Sequence, residues 1–385
     1  MNTMPLVSII ISNYNYGRFL VESLNSALGQ TYRNIEVLVV DDGSTDSSRA
    51  IIDSYKDQIV PILKANGGQT SAVNIAFPRS KGEIIFFLDS DDVLLPSVVE
   101  KAVTVFNSTN GITISKLHWP LWVIDENGAK NGDIFPPGRL SEGDLRDILI
   151  SCGPDFNGSY TASPTSGNAW AKTFLERVIP MPDLEAQYNW RTSSVDAHLS
   201  MLAPLFGQIK ALDEPLGFYR VHGKNSSRKP FLERVERNVL KWNYRAHELA
   251  LCCQRLDFSV APDSWTSWYH KLHQALLDIL KLTEAGNTFI LVDEEQWAMG
   301  ENLEGRSVVP FLERNNQYWG PPVDDEMAIR ELNRLRSDGA NFIVFAWPAF
   351  WWLDYYADFY KYLRSTFSCL LKNERLIMFD LCTNE

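Results

Sequence analysis

Residues 84–88 read Ile-Ile-Phe-Phe-Leu and run without a break into Asp-Ser-Asp-Asp at 89–92. An apolar run of β-branched and aromatic residues suits a strand buried on both faces, as in a parallel sheet. Asp89, Asp91 and Asp92 then arrive at its carboxyl end, where open α/β sheets bind their ligands. Carboxylates this close repel one another unless a cation or hydrogen-bond donors compensate them. Hard oxygen ligands suit Mg2+ or Mn2+ shared with substrate phosphates. The stretch therefore asks for a metal and a diphosphate, and the plainer alternative is an acidic turn that caps a helix. The neighbouring segments bear on that choice.

Residues 6–11 form another β-branched run, closed by Ser12, Asn13, Tyr14, Asn15, Tyr16 and Gly17. Phe19, Leu20, Leu24, Ala27 and Leu28 follow at helical spacing. Residues 35–40 are a further strand that ends in Asp41, Asp42, Gly43, Ser44, Thr45 and Asp46, where Ser44 or Asp46 can cap the next helix. A weaker strand over 59–63 leads to Asn66, Gly67, Gly68 and Gln69 and then to a helix from about Ala72 to Phe77. This alternation predicts right-handed crossovers and a mainly parallel sheet. Ser12, Tyr14, Asp42, Asn66, Gly67, Asp89 and Asp91 all fall at its one edge, so a single crevice could take a base, a ribose and a diphosphate. No Gly-x-Gly-x-x-Gly follows the first strand and no Walker loop occurs, which argues against dinucleotide redox chemistry and P-loop phosphoryl transfer. A sugar nucleotidyltransferase would need a basic Gly-rich loop after the first strand, and that is missing too.

Composition narrows the class. A chain of 385 residues, 45% apolar and 22% charged, is globular and long enough for two or three domains. A net charge of −12 and a pI near 5.1 exclude a nucleic-acid surface. No apolar run reaches the roughly 18 residues of a membrane span, and residues 1–5 are no signal peptide. The five scattered cysteines show no zinc spacing and fit a reducing compartment. The expectation is a cytoplasmic protein, with peripheral association at the inner face of a membrane left open.

Taken together, Val7 to Asn15, Val39 to Asp46, Asn66-Gly67-Gly68 with Ala72 and Asn74, and Phe87 to Asp92 resemble the nucleotide-binding half of family 2 glycosyltransferases. The resemblance implies the GT-A fold, a Rossmann-like mixed α/β sheet. It implies that Ser12, Tyr14 and Asp42 contact the nucleoside and that Asp89 and Asp91 form an Asp-x-Asp motif on ribose and metal. The cofactor would be Mg2+ or Mn2+ and the donor a nucleoside diphosphate sugar, with UDP weighted by the family. The acceptor would be a hydroxyl of a glycan or lipid-linked molecule, in polysaccharide or cell-envelope synthesis.

Farther on, residues 163–169 (Ser-Pro-Thr-Ser-Gly-Asn-Ala) read either as the floor of an acceptor pocket or as a connecting loop. Asp196 opens a segment in which Leu199, Leu202 and Ala203 make an apolar helix face. By the resemblance it is the general base of an inverting transfer, although Val195 stands where the family usually has an acid. The competing reading is a helix cap. Tyr219, Arg220, Val221, His222 and Gly223 resemble the family's terminal Tyr-Arg-x-His-Gly motif. Arg220 and His222 would hold the diphosphate or complete the metal shell beside Asp89 and Asp91, unless His222 is only structural. The polar loop from Gly223 to Pro230 could act as a lid. A non-catalytic binder of nucleotide sugar or glycan on the same fold is the alternative to an enzyme.

The resulting division is a GT-A domain over 1–230, a helical linker over 231–285 and a small α/β accessory domain over 286–385. The last contains Trp297, Trp319, Trp347, Trp351 and Trp352, which read as core more readily than as a sugar-stacking surface.

Overall fold

The computed structural model describes residues 4–108, 111–158, 160–182, 195–222, 230–300, 302–315 and 317–382. The chain divides into two compact units: Met1–Ser227 with Lys241–Thr266, and Arg228–Leu240 with Ser267–Glu385. The helical segment expected as a separate linker is shared between them, because the helix Phe231–Arg255 contributes residues to both.

In the first unit the alternation of runs and helices gives β1 (Val7–Asn13), β2 (Ile35–Asp42), β3 (Val60–Lys64) and β4 (Ile84–Asp89), all parallel. After a short β5 (Val93–Leu94) come β6 (Ile114–His118), β7 (Leu121–Ile124), β8 (Lys130–Phe135), β9 (Asn168–Ala171), β10 (Gln208–Ala211) and β11 (Gly217–Arg220). The central sheet has the order β10-β6-β9-β4-β1-β2-β3, with β9 antiparallel to both β4 and β6. It is thus the mixed, parallel-rich sheet expected of the GT-A type. A smaller sheet has the order β5-β11-β7-β8.

Strand residues alternate strictly between the two faces of the central sheet. Ile10, Leu38, Val40, Ile85 and Phe87 enter one apolar cluster with Ala72, Val73 and Ala76 of the helix Gly68–Ala76. Ile9, Ile11, Val37, Val39, Phe86 and Leu88 enter the other with Leu20 and Leu24 of Gly17–Leu28 and Val99 and Ala102 of Val98–Asn107. Each helix covers the sheet with one apolar stripe, and burial on this scale is the main stabilising term of the unit. Trp242, Leu249 and Cys253 of the long helix belong to the first cluster, so that part of the helix is core of this unit.

The second unit is a six-stranded sheet built from β12 (Thr288–Val292), β13 (Asn302–Leu303), β14 (Arg306–Pro310), β17 (Phe342–Ala346), β18 (Ser368–Lys372) and β19 (Leu376–Asp380), in the order β13-β14-β12-β17-β19-β18. The hairpin β15 (Glu313–Arg314) and β16 (Gln317–Tyr318) lies between β14 and β17 in sequence. Strand β12 is parallel to β14 and β17. The helices Trp268–Leu282, Asp325–Ser337 and Ala357–Thr366 cover its faces. Trp297 and Trp352 are core, as expected, whereas Trp319 and Trp351 are exposed.

Candidate active site

The carboxyl ends of β1, β2 and β4 are brought together by register alone: Ser12 is the partner of both Val40 and Asp89. Tyr14, just beyond, is exposed, and Asn13 is buried and donates to Asp41 at 3.3 Å and to Ser44 at 3.1 Å. Asp41 is fully buried; burial pushes its carboxyl up, but donors from Ser44, Arg49 and Asn13 outweigh that and hold it below the usual range. Asp46 accepts from the backbone amides of Ser48 and Gly17 at 3.0 and 2.9 Å, tying two helix entries to one carboxylate.

Asp42 is buried at the next strand end. Its two oxygens accept from the amides of Gly67 (2.9 Å) and Gly68 (2.7 Å), and Lys64 makes an ion pair with it. The Asn66 side chain donates to the Asp42 carbonyl at 3.0 Å, and Asn66 itself is exposed. Gly43 makes this loop possible. It sits at φ 79°, and a Cβ there would stand 2.6 Å from the Asn66 amide nitrogen.

The acidic turn after β4 divides into two roles. Asp92 is buried and accepts from the Ser166 hydroxyl at 2.6 Å and the Arg220 amide at 2.9 Å. Burial, with the charges of Asp91 and Asp89, drives its carboxyl up, and its two hydrogen bonds tie the turn after β4 to residue 166 and β11. Asp89 accepts from Gln69 at 2.7 Å, and its own amide donates to Ser166 at 3.1 Å. Burial and the nearby charges of Asp91 and Asp196 push Asp89 up to about 7. Asp91 is partly exposed and contacts the His222 Nε2 at 3.0 Å.

Asp196 stands in the first turn of the helix Val195–Leu202 and is close enough to raise Asp89. Tyr219, half-buried on β11, feels all four acids: burial first, then Asp92, Asp89, Asp91 and Asp196 push its phenol up to about 12. Asp196 is therefore within electrostatic reach of Asp89, although the two lie far apart in sequence. A cavity of about 280 Å3 opens against Asp196, lined also by Ser163, Ser200 and Tyr160. Ser163 thus lines this cavity, while Asn168 and Ala169 continue into the central sheet as β9.

Arg220 is buried and turned inward. Its Nε donates to the Asp91 carbonyl at 2.8 Å, Nη1 reaches the carbonyls of Asp125 and Glu126, Nη2 pairs with Glu22, and its guanidinium lies 4.7 Å from the Phe19 ring. These contacts make it a support of the acidic turn, whereas the sequence pointed it at a diphosphate. His222 is buried between Tyr16 and Phe19, and its Nδ1 has no hydrogen-bond partner among the described residues. Among those residues no three His, Cys, Asp or Glu side chains gather to hold a metal, so Asp89, Asp91 and His222 do not form a closed ligand set. Gly223 and most of the predicted lid, residues 223–229, lie outside the described residues.

Lys116 was missed by sequence reading. It is fully buried in β6, donates to Ser200 at 2.8 Å and to the Tyr160 hydroxyl at 3.2 Å, and lies 5.3 Å from the rings of Tyr160 and Trp170. Burial brings it down to about 7 against the opposing pull of Asp196. The one available signal was a lysine inside an apolar strand, Ile114-Ser-Lys-Leu-His. Ser166, Gln69 and Tyr219 lie in segments that the sequence singled out, but their partners could not be named, because they meet only through the fold.

The profile described as Glycosyl transferase family 2 matches residues 8–144. A Nostoc sp. protein named as an uncharacterized glycosyltransferase is 38% identical over 225 residues, covering 57% of this chain and 66% of that protein. Another from Rickettsia bellii is 42% identical over 148 residues, which is 38% of this chain and 21% of that one. The chain therefore spans just under two thirds of the first relative and about a fifth of the second. Among solved structures, S. aureus TarS 1-349 in complex with UDP-GlcNAc is similar with a TM-score of 0.47 and 21% identity, over 65% of this chain and 72% of that one. No helix among the described residues is long and apolar enough to cross a membrane. A Haemophilus influenzae protein of the same description is 32% identical over 236 residues, across 69% of its length, and with that relative and the profile match the chain belongs to glycosyl transferase family 2.

Proposed function

We propose that the protein is an inverting, metal-dependent glycosyltransferase that moves a sugar from a nucleoside diphosphate donor, with UDP favoured, to a hydroxyl of a glycan or lipid-linked acceptor. The observation that supports this reading is that Asp89, at the end of β4, lies within electrostatic reach of both Asp91 and Asp196, with the His222 ring 3.0 Å from Asp91. Ser12, Tyr14, Asp42, Asn66 and Gly67 line the strand ends where base and ribose would lie. Asp42 holds the Gly67 and Gly68 amides and thereby fixes that loop at the strand end.

The crowded Asp89 and Asp91 and the unanswered Nδ1 of His222 fit a divalent cation, Mg2+ or Mn2+. The lack of a closed ligand set fits a cation shared with substrate phosphates. Asp89 and Asp91 would hold it, with His222 behind Asp91, and when bound it would neutralise charge on the departing diphosphate. Asp196 takes the proton of the acceptor hydroxyl as that oxygen bonds to the anomeric carbon and the carbon–phosphate oxygen bond breaks on the opposite face. One displacement inverts the anomeric centre. Work in cell-envelope polysaccharide synthesis at the cytoplasmic face of a membrane is consistent with such an acceptor.

A thermal-shift screen of UDP-, GDP- and dTDP-sugars with and without Mn2+ tests the reading, because a ligand selective for the native state raises the melting temperature. A metal-dependent shift with one nucleotide, abolished in Asp91→Ala, is the expected outcome. Donor binding insensitive to chelator would reject the metal. Binding without any transfer to acceptors would favour a non-catalytic nucleotide-sugar binder.

A further inference from the structure

The second unit contains a cavity of about 400 Å3 that the transfer reaction does not use. Its place follows from topology. Strand β12 has β14 on one side and β17 on the other, and the chain visits β14 before crossing to β17. Connections that leave neighbouring strands in opposite directions open a crevice at the carboxyl ends, which is the usual ligand position in open α/β sheets. The cavity lies there: Leu291 and Asp293 come from the end of β12, Val308 from β14, Glu295 from the loop after β12, and Gln317 and Tyr318 from β16.

The loop after β12 is held in an unusual shape. Glu294, Glu295 and Ala298 adopt φ of 56°, 58° and 49°, a left-handed conformation that side chains other than Gly, Asn and Asp seldom take. Backbone strain of this kind clusters at ligand clamps. Asp293, buried, pins the loop by accepting from the amides of Glu295 (3.1 Å) and Trp297 (2.9 Å). Trp297 packs in the same apolar cluster as Leu291 and Val308 behind the cavity, and its indole N–H is buried with no partner among the described residues. Glu294 accepts from the indoles of Trp351 (3.1 Å) and Trp352 (2.9 Å), which fixes the exposed Trp351 ring at the same end of the sheet.

The lining selects a chemistry. It has an apolar wall, two carboxylates, an amide and a phenol, and among the described lining residues there is no Lys, Arg or His. Phosphates and uronic acids would meet uncompensated negative charge. A neutral sugar presents apolar C–H faces and hydroxyl donors, matching both surfaces. The charges of Glu294, Asp293 and Glu295, after burial, keep the Tyr318 phenol protonated at neutral pH and available to donate or accept.

We propose that the second unit carries a carbohydrate site at the carboxyl ends of β12 and β14, where Asp293, Glu295 and Tyr318 bind the hydroxyls of a neutral pyranose and the fixed ring of Trp351 offers a neighbouring stacking surface. The unit is then a glycan-holding module, and the assignment does not depend on which donor the first unit takes.

Isothermal titration calorimetry on the full chain tests it with glucose, galactose, mannose, N-acetylglucosamine and linear trimers of each as probes, alongside glucuronic acid, glucose 1-phosphate and spermidine. The expected result is millimolar or tighter binding of at least one neutral sugar, not displaced by UDP, and weakened at least about tenfold in Tyr318→Phe combined with Glu295→Gln. Gln317→Trp, at the exposed rim, should block the same binding without altering the loop, and serves if the double variant melts early. Binding of no neutral probe overturns the proposal. So does preference for the acids or the amine, displacement by UDP, or undiminished binding in both variants.

Discussion

The ammonium of Lys116 lies 2.8 Å from the hydroxyl of Ser200, inside the core of the first unit. Ser200 follows Asp196 by one helical turn, so lysine and carboxylate share a face of the helix Val195–Leu202. Lys116 falls from 10.5 in the unfolded chain to about 7 in the folded one. The unfolded chain therefore binds more protons between those values, stability rises with pH across that window, and the burial cost is complete below pH 7. Lys116→Met should raise the melting temperature at pH 6 by an amount reflecting a few kcal/mol at most, and by progressively less toward pH 10. Turnover should fall, since Asp196 loses its positive neighbour. A lower melting temperature at pH 6 would show that the lysine supports the fold.

Asp89 has the opposite sign of proton linkage. Its folded value of about 7 exceeds the unfolded 3.8, so the folded state binds the extra proton and stability declines as pH rises between the two. Asp89→Asn should melt higher than the parent at pH 8, by on the order of a few kcal/mol, and nearly equally at pH 3.5. Donor binding should be lost. Calorimetric melts at the two pH values check the first claim, and a donor titration checks the second.

Asp196→Asn keeps the shape of the first helical turn but cannot accept a proton. Turnover should drop roughly 100- to 10,000-fold with donor affinity within a factor of about two. Single-turnover kinetics beside a donor-binding assay separates the two quantities, and unchanged turnover would remove Asp196 from the chemistry.

Arg220→Met removes the buried donor to the carbonyls of Asp91, Asp125 and Glu126 and the partner of the solvent-exposed Glu22. Leaving those carbonyls without their donor costs about 1–3 kcal/mol, equivalent to roughly 2–10 °C in a unit of this size. A substitution that left the melting temperature intact but weakened donor binding would restore Arg220 to the diphosphate.

The sheet was legible because its signal is local. Residues 6–11, 35–40 and 84–88 are apolar runs ended by polar turns, and they became β1, β2 and β4 within one or two residues. The positions of Asp42 and Asp89 were legible for the same reason, since each is the last residue of its strand. The internal contacts of Arg220 were not legible, because an arginine at a strand end looks the same whether it faces solvent or three carbonyl oxygens and a carboxylate. Lys116 was invisible since its partners lie 44 and 84 residues away. Trp351 could not be told from Trp352 by sequence, although one is 43% exposed and the other fully covered.

Strand β9 enters the central sheet from residues 168–171 and, among the described residues, joins β4 to β6. A polypeptide released at residue 144, where the family profile stops, would have β4 as a naked border of five consecutive apolar residues, with Ile84, Ile85 and Phe86 stripped of Ala171, Trp170 and Ala169. Such a border is a template for intermolecular pairing. The segment matched by the family profile and the segment that completes the sheet are therefore different lengths of chain. During synthesis the growing protein must shield that border for about 80 residues, from the end of β4 at Asp89 to the start of β9 at Asn168.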